Sequence, residues 1–149
     1  MARRDMDDAA TLMTLLRRRK RPSSVRALLS GWDMLQADVP SREQMETALS
    51  ILVGSGLAEV DSSWGMRLTE EGRRLKRSLK GNQGMRLIPS VISDLLAGRQ
   101  LKRAPLTLPQ SVFDPAREEY YDAARRRAER DGGLRHRWWW PGPRGRPGQ

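Results

Sequence analysis

The chain has 149 residues, a formal net charge of +10 and a hydrophobic fraction of 38%. Such a length predicts one domain, or one small domain with an appendage, and the positive charge favours polyanionic partners, nucleic acid first and anionic membrane second. Because the sequence contains no cysteine, disulfide scaffolds, thiol catalysis and zinc-cysteine sites are excluded.

Two helices are predicted in the first part of the chain. Asp7 or Asp8 is expected to cap the first helix, and the second is predicted to begin at residues 22–24. Their apolar faces are formed by Ala9, Leu12, Met13 and Leu16 in the first helix and by Val25, Leu28 and Leu29 in the second. The segment 31–40 contains further apolar residues, so it either continues the second helix or packs on the core as an insertion.

A third helix is predicted to begin at Ser41. Ser41 is a favourable N-cap, and Gln44 stands three residues later, which is the spacing of a capping box. The apolar residues that follow at helical spacing are Met45, Ala48, Leu49, Leu52 and Val53. Gly56 suits the left-handed position that often ends a helix, so the helix is expected to stop just before it.

A hairpin and a fourth helix are predicted after the third helix. The segment 57–61 is a strand candidate, and residues 62–63 are predicted to form the turn. Apolar residues alternate with others over 64–68, which predicts a half-buried second strand. Thr69 is expected to cap the fourth helix, whose first turn carries two glutamates at the positive end of its dipole.

Residues 41 to about 80 resemble winged helix-turn-helix bacterial transcription regulators of the multiple-antibiotic-resistance and phenolic-acid types, and the two upstream helices extend the resemblance. The letters that carry it are ALSILVGSGLAEVDSSWGMRLTEEGRRL, residues 48–75. Those regulators often carry a leucine-rich recognition helix, a Gly-Leu exit, a wing hairpin and Leu-Thr-x-x-Gly before the next helix. The resemblance implies a mainly α fold with a small β-hairpin, a winged helix-turn-helix followed by C-terminal helices, and DNA binding by a transcription regulator, although one fold hosts many functions.

Three parts are predicted along the chain. Residues 1–84 form the winged-helix domain, residues 85–131 a C-terminal helical extension, and residues 132–149 a disordered basic tail that cannot bury enough apolar surface to order itself. The tail contains Trp138, Trp139 and Trp140. These side chains either stack on bases, enter a partner's pocket or lie at a lipid interface, or they have no role.

The extension is predicted to hold two helices. The first starts near Ile88 with a proline in its first turn and ends at Gly98, and the second runs from Asp114 to about Asp131. Terminal helices often build a dimer interface in the regulators that the chain resembles. The apolar stretch 87–96 is therefore a candidate homodimer interface, and it fits equally well a helix that packs on its own winged-helix core.

Two clusters of basic residues are candidate phosphate contacts. The first is the run 17–21 with Arg26, which lies between the first two helices and near free N–H groups that favour anions. The same run also fits a solvated basic loop that complements the dipole of the first helix. The second cluster is on the fourth helix and consists of Arg73, Arg74, Lys76, Arg77 and Lys80, of which residues 73, 76, 77 and 80 share one face. It is predicted to be an all-basic outer side, which binds phosphate or an acidic partner or is only solvated.

The outward face of the third helix argues against base reading by this helix. Arg42 is the only basic residue of this face. The other residues of the face are Glu43, Glu46, Thr47 and Ser50. Carboxylates are repelled by the phosphates that line a groove, although Glu can accept a hydrogen bond from cytosine N4. The turn at 61–63 also lacks the cation that wings entering a minor groove usually carry, and only Arg67 lies near it.

The residues expected to contact DNA come from both clusters, the third helix and the second strand. They are Arg17, Arg18, Arg19, Lys20, Arg21, Arg26, Ser41, Arg42, Gln44, Thr47, Arg67, Arg73 and Arg77. Two functions remain open. The first is a DNA-binding winged-helix regulator that contacts phosphates through the basic clusters. The second is a winged-helix module that binds an acidic protein without sequence-specific DNA binding.

Enzyme chemistry finds no support in the sequence. The only histidine, His136, lies in the predicted tail, and no P-loop, dinucleotide-binding glycine pattern or acidic metal loop occurs. We therefore expect no catalytic activity, cofactor or metal. The charged start 1–8 predicts no signal peptide, and no segment approaches the ~20 apolar residues of a membrane span, so a cytoplasmic protein without a membrane partner is expected.

Overall fold

The computed structural model of the protein describes residues 2–17, 21–79 and 88–139, the last eight by their backbone alone. Along these residues the elements are α1 Arg3–Leu15, α2 Val25–Gln36, α3 Arg42–Gly54, β1 Ala58–Val60, β2 Met66–Leu68, α4 Glu70–Arg77, α5 Ile88–Ala97 and α6 Gln110–Trp139. The protein is mainly helical with a small two-stranded antiparallel sheet, which confirms the predicted fold class at that level. Within the described ranges no helix combines the length and the apolar character that a membrane span requires.

Helix α1 lies at the centre of the core, between α3 and α5. The predicted apolar face is confirmed, because Ala9, Leu12, Met13 and Leu16 are all fully buried. The predicted cap is wrong. The helix begins at Arg3, so Asp7 and Asp8 lie inside it. This first turn carries no apolar periodicity and is supported instead by charge, since Arg3 pairs with Asp7 at 3.6 Å across one helical turn.

Helix α2 begins and continues as its sequence indicates. The Ser24 side chain accepts a hydrogen bond from the backbone N–H of Ala27 at 3.1 Å and caps the first turn. The helix extends through Trp32, which is buried, to Gln36. Of the two options for residues 31–40, continuation of the second helix is therefore correct, and the helix ends where Ala37 adopts a left-handed conformation with φ 57°.

Helix α3 has the predicted signals at both ends. The Ser41 hydroxyl accepts the backbone N–H of Gln44 at 3.1 Å, and the Gln44 side chain accepts the N–H of Ser41 at 2.9 Å, which completes the capping box. At the other end Gly56 has φ 75°, and the N–H of Leu57 donates to the carbonyl of Leu52 at 2.8 Å. This Schellman-type ending turns the chain back toward β1.

Replacing Ser41 with Ala is expected to destabilise the protein by about 1 kcal/mol, because the N-cap acceptor and one half of the capping box are lost. Urea unfolding followed by circular dichroism measures the change. Ser62→Ala is the matched control, since Ser62 is an exposed residue of the hairpin turn. Equal midpoints for the two variants would contradict a stabilising role of the cap.

The predicted hairpin is present, with a shorter second strand. Strands β1 and β2 pair antiparallel, with Val60 opposite Met66. Trp64 was expected in the second strand but has φ 61°, so it belongs to the turn. The Asp61 carboxylate accepts the N–H groups of Ser63 and Gly65 at 2.8 Å each. This Asx-type turn competes with strand geometry and ends the alternation that the sequence shows.

The loop before α2 is fastened to the hairpin. The N–H of Ser23 donates to the carbonyl of Met66 at 2.7 Å, and the N–H of Met66 donates to the carbonyl of Ser23 at 2.9 Å. The two bonds form an isolated antiparallel bridge. Ser23 therefore lies beside β2, as a single residue of strand at the edge of the sheet.

Gly72 allows α4 to lie against the backbone of Leu57, in the segment between α3 and β1. Thr69 caps α4 by accepting the N–H of Gly72 at 3.1 Å, as predicted, and its own N–H donates to the carbonyl of Leu57 at 3.0 Å. A Cβ atom on Gly72 would lie 2.1 Å from that same carbonyl oxygen. The Leu-Thr-x-x-Gly pattern thus encodes a cap and a close helix-to-backbone contact that excludes every side chain.

The observed bounds of α5 agree with the prediction, whereas the observed bounds of α6 differ from it. Helix α6 starts at Gln110 instead of Asp114, because the fully buried Phe113 anchors its first turn. Pro115 lies inside the helix and removes one backbone hydrogen bond near its start. The helix then continues through Trp139, into the segment for which disorder was predicted, since extending an existing helix avoids the cost of nucleation.

The helices of the C-terminal extension share one core with the first part of the chain. The buried apolar residues form a single cluster. Helices α5 and α6 and the segment between them contribute Ile92, Leu96, Leu108, Phe113 and Tyr120 to this cluster. Of the two options for the stretch 87–96, packing on the protein's own core is thus observed for its buried residues, which face α1. Leu87 lies outside the described residues.

Candidate nucleic-acid interface

Two of the predicted phosphate contacts lie together in one groove. Arg17 and Arg21 are exposed and line a depression of about 640 Å³ between the end of α1 and the start of α2, which we call the cationic groove. Its other walls include Leu15, Ser23, Ser24, Ser30 and Met34. Neither guanidinium forms an ion pair with a residue that the structure describes, so both charges are available to an anion.

The start of α2 adds positive potential to the cationic groove. Ser24 and Ala27 line the groove, and the first-turn N–H groups of a helix carry the positive end of its dipole. Phosphate groups bind readily at such helix starts, particularly beside arginines. Arg18, Arg19 and Lys20 lie outside the described residues, and the sequence alone puts these three cations on the loop that joins Arg17 to Arg21.

Arg67 is next in sequence to a residue that pairs with Ser23 of the groove, but its guanidinium already has a carboxylate partner. It follows Met66, the residue that pairs with Ser23 beside the groove. Across the hairpin, Arg67 stands opposite Glu59 and donates to its carboxylate at 2.5 Å. Both side chains are about half exposed, so this cross-strand ion pair is open to competition by another anion.

The arginines of α4 are paired within their own helix. Glu70 accepts hydrogen bonds from Arg73 at 2.8 Å and from Arg77 at 3.2 Å. These two guanidinium groups hold the pKa of the Glu70 carboxyl below its usual range. Arg73 also donates to the carbonyl of Leu68 at 3.1 Å, and its side chain is only 17% exposed. The Arg73 side chain therefore acts mainly as a structural contact within the protein and is not a free cation.

The predicted all-basic outer side of α4 is wrong. Lys76 points inward and donates to the carbonyl oxygens of Thr14 and Leu16, at 2.8 and 2.5 Å. It thereby neutralises the carbonyl end of α1, where the last carbonyls lack helical partners. Lys80, the fourth member of the predicted face, lies outside the described residues. Periodicity placed these cations on one side of a helix but could not reveal that this side meets α1.

Arg26 connects α2 to α6. Its guanidinium lies 3.4 Å from the carboxylate of Glu119. In the same interface the hydroxyl of Tyr120 donates to the carboxylate of Asp33. Burial, aided by this hydrogen bond, raises the pKa of Tyr120 to about 12. Arg26 therefore contributes to the packing of α6 on α2, in addition to any role beside the cationic groove.

The raised pKa of Tyr120 predicts a late tyrosine titration. Only the neutral hydroxyl can donate to Asp33, so the folded state favours the protonated form. The stability from this group is present below its ordinary pKa of 10.0 and is lost as the pH rises through about 12. Ultraviolet absorbance of tyrosinate should show a component that titrates only near pH 12 and disappears in Tyr120→Phe. A late component that persists in the variant would contradict the assignment.

An extended segment of the chain covers part of the outward face of α3, the line that contains Arg42, Glu46 and Ser50. We call residues 99–109 the strap. The hydroxyl of Ser50 donates to the carbonyl of Ala104 at 2.6 Å, and the N–H of Ala104 donates to the carbonyl of Ser50 at 2.9 Å. One turn further, the Ser55 hydroxyl accepts the N–H of Lys102 at 3.0 Å and donates to its carbonyl at 3.3 Å. The strap therefore runs along α3, held through its backbone.

The other end of the strap is held by charged side chains of α3. Arg42 donates to the carbonyl of Leu108 at 2.9 Å and to Glu46 at 2.7 Å, and Glu46 accepts the N–H of Leu108 at 2.7 Å. Arg42, Glu46, Ser50 and Gly54 are spaced by four residues and form one line along the helix. At Gly54 a Cβ atom would lie 2.4 Å from the carbonyl oxygen of Lys102. The strap covers this whole line.

The strap changes the interpretation of the predicted α3 contacts. Arg42 is held by the strap and by two glutamates, while Ser41 and Gln44 form the capping box. Thr47 is half-buried, and Glu43 is left exposed. The hydrogen bonds between strap and helix join residues as far as 66 positions apart. No local sequence pattern indicates such a contact, and the two prolines of the strap predict only an irregular segment.

The described arginines that were predicted to contact DNA thus fall into two groups. One group has no carboxylate partner among the described residues, and the other forms ion pairs within the protein. Arg17 and Arg21 are brought together in the cationic groove, whereas Arg26, Arg67, Arg73 and Arg77 each have a carboxylate partner. No protein-family model, curated protein sequence or solved structure matches this chain. The interpretation of the site therefore rests on its own geometry.

Proposed function

We propose that this protein is a winged helix-turn-helix protein that binds double-stranded DNA, as a transcription regulator, and that it contacts phosphates at the cationic groove. The order of elements supports the fold, because a helix, a strand-like bridge, two helices and a hairpin follow one another as in winged helices. The bridge at Ser23 is the third, very short strand that such a domain requires. It also keeps the cationic groove beside the hairpin.

The observation that carries the proposal is the pair of exposed arginines in the groove, neither of which forms an ion pair with a described residue. Arg17 and Arg21 line the same groove as the start of α2, whose N–H groups add to their charge. Guanidinium groups bind phosphate through two parallel hydrogen bonds and are always charged. Three more cations, Arg18, Arg19 and Lys20, follow Arg17 in the sequence.

Binding at the groove is expected to be insensitive to base sequence. Phosphate contacts fix the position of a protein on a duplex but carry no sequence information directly. The face of α3 that would read bases is covered by the strap. In this conformation the protein therefore contacts the backbone of DNA without an element that distinguishes one base pair from another.

Fluorescence anisotropy with a mixed-sequence duplex tests the proposal. We expect binding at low salt and a steep, linear fall of log affinity with log salt concentration, because each neutralised phosphate contributes about −0.9 to the slope for B-DNA. Five basic residues in the loop 17–21 predict a slope that reflects several such contacts. Absence of binding at low salt, or affinity that does not change with salt, would contradict phosphate binding.

A second function is favoured by the apolar wall of the cationic groove. Met34 is 76% exposed and lines the groove together with Leu15. A surface that combines arginines with exposed apolar side chains also fits an acidic amphipathic segment of a protein partner. Replacing Met34 with Ser distinguishes the two functions. DNA affinity should stay unchanged if phosphates are the ligand, whereas binding of an acidic amphipathic peptide should be lost if a protein is.

A further inference from the structure

We propose that the strap is a removable cover of α3, and that α3 reads bases only after the strap has left it. This inference rests on the proposed DNA binding and adds a regulatory step to it. In the covered state the protein contacts phosphates through the cationic groove. In the uncovered state the line of Arg42, Glu46, Ser50 and Gly54 becomes accessible and supplies the contacts that select a sequence.

The residues beneath the strap are suited to exposure. The line on α3 that the strap covers contains no apolar side chain, whereas the opposite face of the helix buries Met45, Ala48, Leu49 and Leu52 completely. A permanently covered face normally carries apolar residues, because their burial is what drives packing. Uncovering a polar line exposes little hydrophobic surface, so the helix can keep its core contacts while this face meets water or DNA.

The strap is held on α3 by hydrogen bonds that water can replace, and on the core by three leucines. Leu108 is fully buried, Leu101 and Leu106 are partly buried against the core, and Lys102 and Arg103 are exposed. The contacts of the strap to Ser50 and Ser55 are polar, and the net stabilisation from such bonds is small since the released groups bond to water. Local opening of a segment costs less free energy than global unfolding, and the apolar contacts that oppose release of the strap are confined to these leucines.

The charges of the strap couple its release to DNA. Arg99 lies 3.5 Å from Glu71, and Arg103 lies 2.5 Å from Asp5. The strap contains no acidic residue. DNA phosphates therefore compete with these two carboxylates for the arginines of the strap. A ligand that binds the uncovered state more tightly than the covered one shifts the population toward it, so DNA itself favours release.

A reversible disulfide between strap and helix tests the proposal directly. The sequence has no cysteine, so Ser55→Cys combined with Lys102→Cys creates a single possible bond, at a site where the Ser55 hydroxyl contacts the Lys102 backbone. Oxidised and reduced forms of one protein are compared on a random-sequence duplex pool. Reduced protein should enrich a sequence motif over successive rounds of selection. Oxidised protein should still bind the pool through the cationic groove, more weakly than the reduced protein because the strap cannot leave, and should enrich no motif.

Gly54→Ala is an independent variant that removes the strap without a crosslink. The added Cβ atom meets the Lys102 carbonyl at 2.4 Å, whereas in the control Gly98→Ala the nearest atom lies at 3.7 Å. Limited trypsin digestion should cut after Lys102 and Arg103 at least about tenfold faster in Gly54→Ala, because cleavage follows the population of the open segment. The same variant should enrich the motif more strongly than the control.

The outcomes separate the two proposals. If neither redox form binds the pool at low salt, the proposed DNA binding fails, and the strap inference fails with it. If both forms bind and both enrich the same motif, α3 is not under the control of the strap. If both bind and neither enriches a motif, α3 does not read bases. Either of the last two results overturns the strap inference and leaves phosphate binding intact.

Discussion

Reversing the charge of Arg17 and Arg21 together should weaken binding of a mixed-sequence duplex by about 10- to 100-fold at low salt and reduce the salt slope by about 2. The slope follows from the loss of two phosphate contacts at about 0.9 each. Both side chains are exposed and have no carboxylate partner among the described residues. The double variant Arg17→Glu with Arg21→Glu therefore changes the ligand surface without removing a contact of the fold. Anisotropy titrations at several salt concentrations measure both quantities.

Arg126 and Arg130 supply the matched control. Both are exposed on α6 and line a depression that shares no residue with the cationic groove, so Arg126→Glu with Arg130→Glu makes the same change in net charge at another site. If DNA responded only to overall charge, the two double variants would lose affinity equally. Equal losses would contradict a site at the cationic groove, whereas a change in slope confined to the groove variant would support it.

The local motifs of the central region could be predicted because their contacts span only a few residues. The capping box of Ser41 and Gln44, the left-handed Gly56 and the cap at Thr69 are all confirmed. Each is a backbone requirement satisfied by a neighbour in sequence. The start of α1 was missed for a related reason, since charged side chains support its first turn and give no apolar signal.

The candidate site was less predictable, because periodicity says which side chains share a face but not what that face meets. Lys76 was placed on an outer side and instead contacts the end of α1. The pairing of Glu70 with Arg73 follows from a spacing of three residues and could have been read from the sequence. The hydrogen bond by which the strap covers Ser50 could not be predicted from the sequence, because its partner Ala104 lies 54 residues away.

Replacing Gly72 with Ala should destabilise the protein by about 1–3 kcal/mol. The new Cβ would lie 2.1 Å from the carbonyl oxygen of Leu57, a backbone atom that cannot rotate away. Overpacking of this kind costs about 1–3 kcal/mol, and the displaced Leu57 carbonyl would also lose the hydrogen bond from the N–H of Thr69, worth about 1 kcal/mol. The better helix propensity of alanine offsets about 1 kcal/mol of this loss.

Gly98→Ala controls for the general effect of replacing glycine, because its nearest neighbour to the added Cβ is the Leu95 carbonyl at 3.7 Å. Urea unfolding of both variants gives the difference in the free energy of unfolding, provided that their m-values agree. A midpoint for Gly72→Ala equal to that of the control would mean that α4 does not rest on the Leu57 backbone. In that case the Leu-Thr-x-x-Gly pattern would encode only a helix cap.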